Sequence, residues 1–219
     1  MRMTIIKTFD GSHTLYVPEL DEHYHSIHGA VKESEYVFIR NGFEYCKSKS
    51  LVIFETGFGT GLNVLLTALR SAESNIKVLY YSIEKYPLSR KIVDNLNYPE
   101  HIGGNSADIF GSIHSCSWGT VNKIYKDFSL FKIKGDMATF IPDFQVDLIY
   151  FDAFGPDKQP EMWSSEIFST ISGITHTGSL FVTYSSKGAV KRNLRTAGFS
   201  TELLPGPPGK RHILRATKI

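Results

Sequence analysis

The chain has 219 residues, 42% of them hydrophobic and 21% charged, with a formal net charge of +2. This fits an ordinary soluble globular protein, long enough for one sizeable core and too short for a second full domain. No apolar run approaches the roughly 18 residues of a membrane span, the start "MRMTIIKTFDGSH" lacks the apolar stretch of a signal peptide, and Cys46 and Cys116 stand far apart outside any CxxC pair, which predicts a reduced cytoplasmic protein without a cysteine zinc site.

Residues 1–50 are the least regular part of the chain. Pro18 and Gly29 punctuate them and 30–40 has helix-like spacing, which predicts an N-terminal extension or lid with one or two helices. Residues 51–219 read as the core of the same single domain. There strands and helices alternate. "SLVIFE" (50–55) is a short apolar run ending in a glycine-rich turn, as in a buried strand. "GLNVLLTALRSA" (61–72) places Leu62, Leu65, Leu66 and Leu69 on one helical stripe. A strand follows at 77–84, and Pro87 is placed to open a helix over 87–96. Further strands are predicted at 128–136, 146–152 and 179–185. Helices are predicted at 161–173 and 187–198, the last with Gly198 as its C-cap. "FSTELL" and "HILRAT" close the chain as an antiparallel pair around "PGPPGKR". The alternation predicts an α/β fold with a mostly parallel sheet.

In such sheets ligands sit beyond the carboxyl ends of the strands. Four of those ends carry an acid: Glu55, Glu84, Asp136 and Asp152. Any one could cap the next helix; four on one rim point to a binding site. The glycines at 57, 59 and 61 are spaced G-x-G-x-G. A dinucleotide fingerprint needs its third glycine where Leu62 stands, and a P-loop needs G-K-[ST], so both are disfavoured. Glu55 would also repel a phosphate. Glu84, 23 residues after Gly61, is placed to take the hydroxyls of a ribose. Asp136 and Met137 would flank an adenine, one as hydrogen-bond acceptor and the other as apolar wall.

This order of glycines and acids resembles the class I S-adenosylmethionine (SAM)-dependent methyltransferases. The resemblance implies a Rossmann-like, mostly parallel seven-stranded sheet with helices on both faces, and a SAM site at Glu55, Gly57, Phe58, Gly59, Gly61, Asn63, Glu84, Asp136 and Met137. "DAFGPDKQPEMWSSEIF" (152–168) narrows it: this stretch is similar to the signature of the MnmD family of tRNA wobble-uridine methyltransferases, also found as the N-terminal half of the bifunctional MnmC enzymes. Residues 10–39, 55–63 and 209–218 resemble that family too. The implied reaction is methylation of the 5-aminomethyl group of a (2-thio)uridine at tRNA position 34. By the same resemblance Asp152 is the catalytic candidate, as acceptor or relay of the amine's proton, as a ligand of SAM, or both. Tyr24 belongs to the lid, and Phe154 and Trp163 are candidates for lining the entrance, Trp163 equally for core packing. His23, His25 and His28 read as lid residues rather than metal ligands. The FAD-dependent oxidase half of MnmC has no counterpart in these residues, so only the methylation step is implied. Methyl or aminopropyl transfer to a small amine is the alternative, because that fold shares the four acids.

Charge is lopsided. Residues 187–219 hold eight Lys and Arg against one acid, Glu202. Lys187, Lys191, Arg192, Lys210 and Arg211, together with Lys158, are the candidates for tRNA phosphates. A solvated helix and hairpin with surplus lysine is the competing reading.

Overall fold

The structure is a computed structural model and describes residues 3–219; the first two residues of the basic N-terminal stretch lie outside the described residues. Among the described residues eleven strands form two sheets. The small one is antiparallel: β1 (Thr4–Lys7), β2 (His13–Val17) and β3 (Glu22–His23). The large one contains β4 (Ser50–Thr56), β5 (Lys77–Glu84), β6 (Val121–Tyr125), β7 (Phe128–Lys134), β8 (Val146–Phe151), β9 (Thr175–Thr183), β10 (Phe199–Pro205) and β11 (His212–Lys218). Its order is β10-β11-β9-β8-β4-β5-β7-β6. The five inner strands from β9 to β7 run parallel, and β6, β10 and β11 run antiparallel at the two edges.

The inner strands are apolar on both faces because helices cover both faces. Along β8, Leu148 and Tyr150 join one apolar cluster while Ile149 and Phe151 join the other. Ile53 and Phe54 of β4 divide in the same way. The first cluster also takes in α1 (Ala30–Ser34), α2 (Leu62–Ser74), α3 (Arg90–Val93), α4 (Tyr98–Ile102) and α5 (Ser106–Ser115); the second takes in α6 (Ser165–Gly173) and α7 (Gly188–Thr196). Among the described residues no helix is long and apolar enough to cross a membrane.

Several elements differ from the sequence reading. The large sheet has eight strands, because "VNKIY" adds β6 at an edge, where mixed exposure hides the period-2 signal. The N-terminal segment holds a three-stranded sheet as well as its helix, and that helix runs on from α1 as a π-helical turn over Glu35–Arg40. The helix predicted for 87–96 shrinks to α3. Pro99 cannot continue a helix from upstream, so the chain breaks at Asn95–Asn97 and restarts as α4 with its proline in the first turn. The helix predicted for 161–173 divides at Ser164, whose side chain accepts from the Ile167 N–H and caps α6. The C-cap of α7 is Ala197, and Gly198 lies one residue beyond it at φ +84°.

Candidate active site

The turn between β4 and α2 crosses the tip of β5, where Gly57 and Phe58 both donate to the Ile83 carbonyl. Its glycines are needed for separate reasons. A Cβ on Gly57 would stand 3.1 Å from the Asp152 carbonyl, and one on Gly59 would stand 3.2 Å from the Tyr24 ring. Gly61 has φ +74°, and a Cβ there would meet His114 Nε2 at 2.9 Å. Gly61 therefore shapes the turn from behind rather than facing the cavity.

Beside this turn opens a cavity of about 590 Å³. It is lined by Gly57, Phe58, Gly59 and Asn63 from the turn and α2, and by Glu84, Asp136 and Met137 from the ends of β5 and β7. Asp152 and Phe154 follow β8, Tyr24 comes from the N-terminal segment, and Lys158 and Lys210 reach in from the rim. Most of the predicted site is thus assembled around one space.

At its inner wall one amide joins two carboxyls. Asn63 Nδ2 donates to Glu55 Oε1 at 3.0 Å and to Asp152 Oδ2 at 2.9 Å. Ser82 donates to the other oxygen of Glu55 at 2.6 Å. Burial is the largest influence on both acids. It pushes Glu55 up to about 8 and Asp152 up to about 7, against the opposing effect of the Asn63 hydrogen bond. Asn63 Oδ1 is buried and accepts no hydrogen bond. An acceptor left in this way calls for a donor from a ligand.

Further along the rim, Glu84 is held by two backbone donors, Gly59 N–H at 3.0 Å and Tyr86 N–H at 2.7 Å, which fix its carboxylate before any ligand arrives. Asp136 pairs with Lys85 at 2.7 Å and accepts from the Ala138 N–H, and these bonds hold its carboxyl below the usual range. Tyr24 meets Phe154 edge-on at 5.1 Å and forms an aromatic wall.

Other predicted residues sit elsewhere. Glu55 is 1% exposed and lies one layer beneath the cavity, so its expected contact with SAM is replaced by a hold on Asn63. Trp163 is buried among Phe151, Phe168 and Tyr184 and donates to the Phe154 carbonyl at 2.7 Å. It steadies the entrance from behind instead of lining it. The basic C-terminal face is narrower than its composition suggests. Lys187 pairs with Asp157, Lys210 with Glu33 and Arg215 with Glu202. Arg195 donates to Thr201, and Lys218 donates to carbonyls at the end of α7. Among the described residues Lys191, Arg192 and Arg211 have no ion pair. The three histidines diverge. His23, packed on Tyr16, and His25, buried against Tyr98 where burial lowers it to about 4, line the cavity, whereas His28 packs on Phe9 away from it.

The sequence reading passed over Glu33 of α1 and Tyr184 just beyond β9, both of which line the cavity. Tyr184 fell inside the strand predicted at 179–185, and because β9 ends at Thr183 it lies at the strand end where ligands sit. Nothing in the spacing of "AVKES" marks Glu33.

A sequence model described as "S-adenosyl-L-methionine-dependent methyltransferase" matches residues 116–219. The chain is similar to "tRNA 5-methylaminomethyl-2-thiouridine biosynthesis bifunctional protein MnmC" of Cupriavidus metallidurans, 33% identical over 91% of this chain and 32% of that protein. Among solved structures it superposes on MNMC2 from Aquifex aeolicus with a TM-score of 0.81 and 28% identity, covering 99% of this chain and 70% of the other. Spermidine synthase from Thermotoga maritima shares the fold alone, at a TM-score of 0.56 and 10% identity over 99% of this chain and 72% of that one. In fold and site the chain is similar to the class I SAM-dependent methyltransferases. Within that class its likeness is to MnmC, and it spans about a third of the length of the curated relatives it matches.

The residues present fit SAM. The cavity is within the usual size of a ligand site. Six carboxyls and three lysines line it, so it favours a cation over a phosphate. The unpartnered Asn63 Oδ1 offers an acceptor, and the glycine turn leaves no side chain between backbone and ligand. Gly57, Phe58 and Gly59 would hold the donor along the turn, Glu84 its ribose, Asp136 and Met137 its adenine, and Asn63 with Asp152 its cationic end.

Proposed function

We propose that the protein methylates the 5-aminomethyl group of the (2-thio)uridine at the wobble position of tRNA, in the cytoplasm, yielding 5-methylaminomethyl(-2-thio)uridine. SAM supplies an electrophilic methyl group on sulfur. The chain's own residues must bring an amine to it with a free lone pair. An alkyl ammonium has a reference near 10.4 and no lone pair until it loses a proton. The single observation that carries the reading is Asp152. Its carboxyl faces the cavity, is oriented by Asn63 and is pushed up to about 7. Compared with an ordinary aspartate, this narrows the gap to the ammonium to about three units, which favours proton transfer to its Oδ atoms.

Residues 1–50 act as the lid in this reading. Tyr24 and Phe154 supply an aromatic surface for a base splayed out of the single-stranded anticodon loop. Lys191, Arg192 and Arg211 contact phosphates. Much of the rate then comes from alignment, for which fixed geometry contributes roughly 7–11 kcal/mol.

The test is to incubate the protein with labelled SAM and tRNA carrying 5-aminomethyluridine, digest, and separate the nucleosides. Label in 5-methylaminomethyluridine is expected; its absence there removes the proposal. Transfer to a small amine is the second reading, favoured by the acidic cavity. Parallel reactions with putrescine, using SAM and its decarboxylated form, separate the two.

A further inference from the structure

Lys210 lies in the turn between β10 and β11, yet its ammonium points into the cavity. Lys210 Nζ is 3.1 Å from Glu33 Oε1 and 4.1 Å from the centre of the Tyr184 ring. The two partners of this cation are anchored by backbone. Glu33 Oε2 accepts from the Ser26 N–H at 2.8 Å, and the Tyr184 hydroxyl donates to the Ala153 carbonyl at 2.9 Å. Ala153 follows Asp152 directly, and the charges of both Glu33 and Lys210 act on the Asp152 carboxyl. The lysine is the movable member, since it reaches the site on a stem of four methylenes. The turn that bears it is wedged: a Cβ on Gly209 would run into the His28 ring. Its ammonium can therefore leave by rotation of the stem while the turn stays put.

A fixed carboxylate and a fixed aromatic face around one ammonium form a receptor for a cation. Glu33 is 8% exposed, and its Oε1 accepts no hydrogen bond, because Lys210 stands close to it but off the hydrogen-bonding axis. The resident cation is a primary alkylammonium, the same group that the proposed substrate carries.

We infer that Glu33 and the Tyr184 ring form the subsite for the substrate's primary ammonium, and that Lys210 is a tethered placeholder which the substrate displaces. The inference rests on the amine-methylation reading above. Exchange of one ammonium for another keeps the charge beside Asp152 constant. A substituent of the same size without charge gains nothing from the site, so the subsite selects for the aminomethyl group. Glu33 binds the ammonium, while Asp152 takes its proton.

The experiment uses the full chain methylating tRNA, with the nucleosides 5-aminomethyluridine and 5-hydroxymethyluridine as competitors. Neither nucleoside has a phosphate, so any loss of phosphate contacts by Lys210 does not enter. The readout is the ratio of the two inhibition constants, a measure of ammonium selectivity. The wild-type protein is expected to prefer the ammonium. Glu33→Gln should reduce that preference about tenfold, the scale of one charge-assisted contact, with an unchanged far-UV circular dichroism spectrum as a check on folding. Lys210→Met should raise it about threefold or more, because the placeholder is gone. A merely structural Lys210 predicts the opposite or no change. No preference in the wild type, an unchanged ratio in Glu33→Gln, or an unchanged or lower ratio in Lys210→Met each overturns the inference. A wild-type protein that leaves 5-aminomethyluridine in tRNA unmethylated overturns the proposed function instead.

Discussion

Replacing Asn63 by alanine tests whether one amide sets the protonation of the site. Its two N–H groups go to Glu55 and Asp152, so the change strips a donor from each of two enclosed carboxyls. An unsatisfied buried group costs roughly 1–3 kcal/mol. Water entering the cavity can serve Asp152, which puts the expected loss at roughly 2–4 kcal/mol, or a fall in Tm of roughly 4–16 °C for a chain of this size. The second effect is on acidity. The Asn63 hydrogen bond favours the ionised form of Asp152. Without it the carboxyl holds its proton more tightly, by roughly one to two units at about 1.4 kcal/mol each. The active form is the carboxylate, so the rise of kcat/KM with pH should move from near 7 in the wild type to roughly 8–9 in the variant. Rates from pH 5.5 to 9.5 at saturating SAM, alongside calorimetric melting, provide both readings. A variant that melts lower yet keeps its rise near pH 7 would refute the coupling between Asn63 and Asp152.

Other changes probe other parts of the site. Asp152→Asn keeps the shape and the acceptor for Asn63 but cannot take a proton; kcat should fall by about 10²-fold or more, and full activity would end its role as base. Gly61→Ala must place a side chain at φ +74° and against His114, at a cost of roughly 1–2 kcal/mol for the backbone alone. SAM binding by calorimetry should weaken about tenfold, and unchanged binding would show that the turn tolerates a Cβ. With three unpaired basic residues in contact with phosphates, tRNA affinity should drop about 20–40-fold between 50 and 200 mM salt, and a flat response would remove the basic face from the reaction. Glu55 and Asp152 both hold their protons more tightly in the folded state, so between their ordinary values and about 7–8 each binds more proton in the native protein than in the unfolded chain. Below about 6.5 the buried His25 and His114, lowered to about 4, act in the opposite sense, so the fall in stability is expected as pH rises from there to about 8; a ligand-free Tm that climbs between about pH 6.5 and 8 would contradict this.

The parallel core was legible because β4, β5 and β8 are dense apolar runs with glycine-rich or acidic ends, and β9 contains a dense apolar run of its own. β6 escaped because an edge strand with polar residues has no such signature. Within residues 86–115 the helix predicted over 87–96 survives only as α3, and α4 escaped because single turns are held by packing rather than by propensity; α5 was not predicted. At the site, the strand-end acids could be located, but not their depth. Whether Glu55 faces the cavity or lies below it depends on Asn63 and Ser82, residues 8 and 27 positions away. The charge of the C-terminal segment was countable, whereas its neutralisation by Glu33 and Asp157 depends on contacts across the fold.

The bond from Asn63 to Asp152 spans 89 positions in the chain. It also joins the first turn of α2, which follows β4, to the residue just beyond β8, and these two strands pair only once the intervening segment has found its place. Parallel strands so far apart in sequence zip late, after the loop entropy between them has been overcome. A partly folded chain therefore has its glycine turn but no acid to complete it. Affinity for a cationic ligand at this site then arrives with the last steps of folding, so ligand binding reports on the finished sheet and, by mass action, stabilises that state alone.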